Sequence, residues 1–248
     1  PIPLLAIQIL WVNLVTDGLP AIALGFEPGE PGVMKRKPRP PQESIFAGGI
    51  GRSIVIISIV LAIVTLAGYY WGYAAHGMDP MSPSLGLERL SEAQLVELVG
   101  AEYVPEGWDT LDEAGKLELL HIEPGANALS VEEGEGDGLL ARAERLPRTI
   151  AFTVLALGQI FHVSAIHAGD SRSFFRVWFS GNRFLFWAVI ATFILQLIVI
   201  YVPFMQLTFE TVALTALELG VSIAIAAIVL LAAELEKLVF HRRAEAIA

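Results

Sequence analysis

No cysteine occurs among the 248 residues. Disulfides, thiolate metal sites and thiol redox chemistry are thereby excluded, and cysteine usage leaves the compartment unassigned. Charge is also scarce: 17% of residues are charged against 54% hydrophobic, and the mean hydropathy of +0.61 is too high for a soluble domain of this length. The chain opens with Pro1 rather than Met, and no basic segment precedes its first apolar run. Nothing there reads as a signal peptide, and the chain is expected to be a piece of a longer polypeptide. A net charge of -10 gives no basic footprint, so no nucleic-acid partner is expected.

What is present is five apolar runs long enough to cross a hydrocarbon core. They lie at 1–26, 53–75, 149–169, 184–209 and 211–233, and none holds a lysine or arginine. The expected fold is an all-α membrane protein of five transmembrane helices with a small, partly helical external loop subdomain. In chain order the division is a discontinuous, cation-binding first helix (1–27), a basic cytoplasmic loop (28–52) and a second helix (53–75). An acidic extracytoplasmic loop (76–148) and a third helix (149–168) follow. A cytoplasmic loop (169–183), a fourth helix (184–203), an external turn (204–213), a fifth helix (214–238) and a cytoplasmic tail (239–248) complete the chain.

Charge sets the expected orientation. Residues 75–148 carry 16 of the 26 acidic side chains, while eleven of the 16 basic ones fall in three other segments. These are Lys35, Arg36, Lys37, Arg39 and Arg52, then Arg172, Arg176 and Arg183, then Lys237, Arg242 and Arg243. Five alternating spans put all three segments on one side, and the positive-inside rule makes that side cytoplasmic. A multi-pass integral membrane protein with its C-terminus in the cytosol is expected, at the plasma membrane if the source is prokaryotic. Membrane lipids are its expected surroundings.

In the acidic loop, Ser91 with Gln94 and Thr110 with Glu113 each have capping-box spacing, predicting two short helices that meet through Leu95, Leu98, Val99, Leu117, Leu119 and Leu120. Glu133, Glu135, Asp137, Gly138 and Glu144 fit a calcium loop loosely. Glutamates stand where aspartates are wanted, and a solvated acidic linker is the plainer reading. Tyr69, Tyr70, Trp71 and Tyr73 read as an interfacial aromatic belt, and Glu218 as a side chain that snorkels to water. AGGIGRS, at 47–53, lacks the ending of a phosphate loop and reads as close packing at a helix start.

The chemistry concentrates in the first span. A carboxylate in lipid costs about 3 kcal/mol by insertion scales, so Asp17 needs a partner, water or an ion. Asn13, Thr16 and Asp17 stand at i, i+3 and i+4, which gathers three oxygen-bearing side chains on one helical face. Gly18 and Pro20 follow, and Pro20 cannot donate to the Thr16 carbonyl, so the helix is expected to loosen there. Loosened backbone with carboxylate, amide and hydroxyl oxygens suits a hard cation such as Ca²⁺. On chemistry alone a second reading stands, in which Asn13 and Thr16 join helices and Asp17 pairs with a basic group from outside the chain.

The string QILWVNLVTDGLPAIALGFEP, followed by RKPRPP, closely resembles the sixth span and following cytoplasmic loop of calcium-transporting P-type ATPases of the sarco/endoplasmic-reticulum and bacterial kind. The resemblance implies that Asn13, Thr16 and Asp17 coordinate transported Ca²⁺. AFTVLALGQIFHV, at 151–163, resembles the eighth span, and its Gln159 falls where sarcoplasmic pumps place a calcium-binding glutamate. Gln159 is therefore a fourth candidate ligand; its neutral amide supplies oxygen without charge, which implies one weakened or lost ion site. A plain interhelical hydrogen bond is the alternative for Gln159; His162, one turn on, reads either as such a bond or as a group that titrates with counter-transported protons. The DKTGT phosphorylation motif and the TGE motif are absent from these residues. ATP and Mg²⁺ would act in domains of the remaining N-terminal part of the same pump, so this chain is expected to be inactive alone. Two rivals stay open: a stand-alone membrane scaffold or accessory subunit with a cation- or partner-binding acidic loop, and a monovalent-cation pump.

Overall fold

The structure is a computed structural model that describes residues 2–26, 40–44, 46, 49–121, 138–167 and 182–245, the side chains of 167 and 240–245 excepted. The basic residues Lys35, Arg36, Lys37, Arg39, Arg172 and Arg176, and the loop residues Glu133, Glu135 and Asp137, lie outside the described residues. No strand occurs among those described. The first span consists of α1 (Ala6–Trp11), a π turn (Val12–Thr16) and α2 (Gly18–Gly25). The second is α3 (Ile50–Ala75). Two short helices, α4 (Glu92–Val99) and α5 (Glu113–Leu119), follow in the acidic loop. Then come α6 (Leu139–His167), α7 (Arg183–Tyr201), the short α8 (Pro203–Phe209) and α9 (Ala216–Glu245). Five of these segments are long and apolar enough to cross a membrane, as expected.

Helix α6 is the hub. Its apolar window is 67% buried, against 17% to 33% for the other four, and it packs on α3, α9, α7, α4 and the π turn. Glycine permits the closest of these contacts. A Cβ at Gly68 would stand 2.8 Å from Val154 Cγ2, one at Gly72 2.9 Å from Pro147 Cα, and one at Gly158 2.7 Å from Leu61 Cδ1. Dispersion and shape, rather than hydrophobic transfer, hold helices together inside a bilayer, and small residues allow the backbones to approach.

Tyr69 and Tyr73 share the Gly68/Gly72 face by their four-residue spacing. They are buried against the bundle with hydroxyls 3.1 Å apart, and only Tyr70 of the three tyrosines is exposed. Burial of Tyr69 and Tyr73 takes them out of the expected aromatic belt, and Tyr70 alone has the exposure it requires. Glu218 also turns inward. Its Oε2 accepts from Thr215 N at 2.6 Å in a reciprocal cap, and its Oε1 lies 3.1 Å from His76 Nε2, tying the start of α9 to the end of α3. With Thr215 and His76 within reach, the buried carboxylate has no need to extend to water.

The described residues of the acidic loop pack onto the spans. Ser91 and Gln94 close the expected capping box, whereas α5 is capped by Asp112, which accepts from Gly115 N at 2.9 Å. Thr110 instead donates to Gly107 O at 2.6 Å within the preceding turn, so it is not available as a cap. Trp108 is fully buried, donates to Leu90 O at 3.0 Å and carries Lys116 over its ring at 5.0 Å. Leu87, Leu95 and Trp108 join one apolar core with the acidic-loop ends of α3 and α6. Helix α6 begins at Leu139, before the apolar run that opens at Thr149. This charged first part anchors the loop, with Arg142 stacked 3.3 Å over Tyr103. Glu144 accepts from Arg148 at 2.8 Å within the same helix.

Two sets of polar contacts tie the helices together, one at each end of the bundle. At the acidic-loop end, buried Arg148 donates to Ile2 O at 3.3 Å and to Glu210 at 3.4 Å, while Gln8 Nε2 donates to Phe209 O at 2.9 Å. At the opposite end Asn182 caps α7 and donates to Ala23 O at 2.8 Å. There Lys237 donates to Ala165 O at 2.6 Å, and Ser53 donates to Glu236 at 2.7 Å. Residue 2 thus lies with residue 148 and residue 12 with residues 152 and 156, so the first span and α6 run parallel.

Candidate cation site

The backbone of the first span widens before its proline. Asp17 N donates to Val12 O at 3.0 Å, a bond to the fifth residue back, and the α pattern resumes with Ala21 N to Asp17 O at 3.0 Å. Loosening was expected around Gly18 and Pro20. The π turn lies on the N-terminal side of them, where the proline ring must clear the Thr16 carbonyl and the extra residue is taken up. π turns recur at functional sites because they reorient side chains without ending the helix.

The consequence for Thr16 is specific. Six buried hydroxyls in the other spans, those of Thr65, Thr149, Thr153, Ser164, Thr192 and Ser222, each donate to the carbonyl four residues earlier at 2.7 to 2.8 Å. Thr16 is fully buried, yet its Oγ1 has no hydrogen-bond partner among the described residues. The carbonyl it would use is that of Val12, which the π turn gives to Asp17 N. A buried hydroxyl left unpaired costs about 1–3 kcal/mol.

Asp17 is half-buried beside it, and no described residue makes a hydrogen bond or ion pair with its carboxylate. Asn13 faces outward from this bundle. A π turn uses more residues per revolution than an α turn, which rotates Asn13 away from Thr16. The structure therefore buries Thr16, half-buries Asp17 and leaves Asn13 on the surface of the described bundle. Gln159, on α6, is half-buried, and its Oε1 also lacks a partner. An apolar cluster of Val12, Phe152, Ala156, Val199 and Phe209 sits one turn toward the acidic-loop end. Because the first span and α6 are parallel, Thr16 and Gln159 follow Val12 and Ala156 at the same depth.

Two residues of this region stood outside the sequence-based candidates. Gln196, on α7, is 1% exposed; its Oε1 accepts from Trp11 Nε1 at 3.2 Å, and its Nε2 has no partner. Trp11 also packs edge-on against Phe209 with ring centroids 5.1 Å apart. A lone amide inside an otherwise apolar span is the signal that could have found Gln196. Among the described residues no three His, Cys, Asp or Glu side chains converge on a metal position. What the site offers is one carboxylate with hydroxyl and amide oxygens, a donor set for a hard cation that further oxygens would have to complete.

With that geometry in place, comparison with known proteins assigns the class. The family described as "Cation transporting ATPase, C-terminus" matches residues 1–239, and the chain belongs to it. It is an all-helical, multi-pass membrane segment of that family. More particularly, it is 32% identical over 215 residues to a calcium-transporting ATPase of Bacillus subtilis, covering 87% of this chain and 17% of that protein. It is 28% identical over 238 residues to the endoplasmic reticulum calcium ATPase srcA of Aspergillus fumigatus, covering 96% of this chain and 21% of the relative. A calcium-transporting ATPase of Listeria monocytogenes is 50% identical over 70 residues, covering 28% of this chain and 8% of the relative. The chain thus spans about a fifth of the length of the first two.

Proposed function

We propose that this chain forms the cation-translocation part of an ATP-driven P-type pump that exports Ca²⁺ from the cytosol. Asp17 supplies the anionic ligand, Thr16 a hydroxyl oxygen, and Gln159 a neutral oxygen from the facing helix. Asn13, facing away from the described bundle, would ligate from the side on which the rest of the pump packs. The observation that carries this reading is the unpaired, buried Thr16 hydroxyl beside an unpartnered Asp17, at a π turn in the segment matched to calcium-transporting relatives. ATP and Mg²⁺ would act in the remainder of the pump, and its phosphorylation would drive exposure of the site to alternate sides. The basic segments would face the cytosol and the acidic loop the opposite side.

The test uses the complete polypeptide. Asp17→Asn should abolish Ca²⁺-activated phosphorylation from ATP, because it removes the one charge in the site; phosphorylation at near wild-type Ca²⁺ affinity would overturn the reading. Stimulation by Na⁺ or K⁺ in place of Ca²⁺ would identify a monovalent pump instead. The neutral Gln159 favours one Ca²⁺ per cycle. Two bound per phosphorylation site would contradict that.

A further inference from the structure

Gln196 carries a consequence for how the site holds its ion. Val199 packs with Val12, Phe152 and Ala156, and α7 runs opposite to the first span and α6. One turn from Val199 away from the acidic-loop end therefore brings Gln196 to the depth reached by Thr16 and Gln159 one turn past Val12 and Ala156. Three buried polar atoms from three helices lack partners here: Thr16 Oγ1, Gln159 Oε1 and Gln196 Nε2. Chemically they are complementary, being a hydroxyl, an acceptor and a donor.

The orientation of the Gln196 amide follows from its neighbour. An indole N–H can only donate, so Trp11 Nε1 at 3.2 Å must face the amide oxygen, and the NH₂ group is turned to the other side. We propose that Gln196 lines the cation pocket as an affinity-setting wall. Trp11 holds the positive end of the amide toward the pocket, where its partial positive charge opposes the cation. The ion then binds less tightly than the oxygen count alone would give, which favours its release. Trp11 is a positioning residue in this scheme and touches no ion.

This inference rests on the calcium reading above, and the experiment separates the two. In the complete polypeptide in membrane vesicles, the Ca²⁺ concentration giving half-maximal phosphorylation from ATP is measured for four variants. Trp11→Phe frees the amide to turn its oxygen inward and should lower the requirement about threefold to tenfold. Gln196→Glu keeps an acceptor for Trp11 and replaces the inward donor with an anionic oxygen; it should lower the requirement by about tenfold or more. The Trp11→Phe gain should vanish when Gln196→Leu is added. A structural lesion would raise the requirement or abolish the signal, so the sign of the change is diagnostic. The proposal is overturned if Gln196→Glu leaves the requirement unchanged or raises it, or if the Trp11→Phe gain persists with Gln196→Leu. The fourth variant, Asp17→Asn, is the control: retained Ca²⁺ dependence sinks the calcium reading, whereas its loss beside an inert Gln196→Glu sinks only the role of Gln196.

Discussion

Two regions of the bundle treat their polar groups in opposite ways. In the frame of α3, α6 and α9, buried hydroxyls return to their own backbone, Glu218 meets Thr215 and His76, and glycine sets the closest packing. Along the first span and the α6 and α7 surfaces facing it, Thr16, Gln159 and Gln196 each keep an atom unpaired. In hydrocarbon, a satisfied polar group contributes to rigidity and an unsatisfied one costs free energy until something binds. The frame is thus built for stability. The flank carries polar atoms that the described bundle leaves unpaired.

The comparison can be broken most severely in the frame. Gly158→Leu would drive side-chain atoms into Leu61 and Val229, where a bare Cβ already meets them at 2.7 and 3.3 Å. A loss of roughly 3 kcal/mol or more is expected, seen as a large fall in the thermal-unfolding midpoint in detergent. An unchanged midpoint would show that the frame is looser than described. Next comes Arg148→Met, which removes the donor to the Ile2 carbonyl and to Glu144 at the joint between frame and flank. About 2 kcal/mol should be lost, the half-exposed Glu210 contributing little. Faster hydrogen exchange along α1 would check that the joint itself has loosened.

A matched pair sharpens the contrast. Thr153→Val removes a satisfied hydroxyl from the frame and should cost about 0.5–1 kcal/mol without changing Ca²⁺ affinity. Thr16→Val removes an unpaired one and should leave stability unchanged or raise it by up to about 1 kcal/mol, while weakening Ca²⁺ binding roughly tenfold. Parallel unfolding and binding titrations decide between these patterns. Equal behaviour of the two variants would remove the distinction on which the site rests. The smallest effect belongs to the acidic loop, where Ser91→Ala loses a capping box and should cost about 1 kcal/mol, confined to exchange in α4.

The five spans were legible because a bilayer imposes length and apolarity on any segment that crosses it. The start of α6 was not, since Arg142, Glu144, Arg145 and Arg148 interrupt the apolar run. That part of the helix is held by pairing within itself and stacking on Tyr103, which no hydropathy pattern records. Tyr73 and Glu218 were misread for a related reason: their environments come from residues distant in sequence. Glu218 reaches His76 across most of the chain, and Tyr73 lies among α6 residues. At the site, Asp17 and Thr16 stood out as polar groups in an apolar run next to a proline. The π turn that separates Asn13 from them depends on how the backbone clears Pro20. Gln196 gave a sequence signal, but its meaning depends on Trp11 and on the parallel register of the first span with α6.

The central claim is that the flank is completed by the cation. The most direct measurement is the thermal-unfolding midpoint of the complete polypeptide as Ca²⁺ is raised, for wild type and Asp17→Asn. A ligand that binds only the folded state stabilises it by mass action, by about 2.7 kcal/mol at one hundred times its dissociation constant. The account predicts a midpoint that climbs with Ca²⁺ in the wild type and stays flat in Asp17→Asn; an equal climb in both would contradict it.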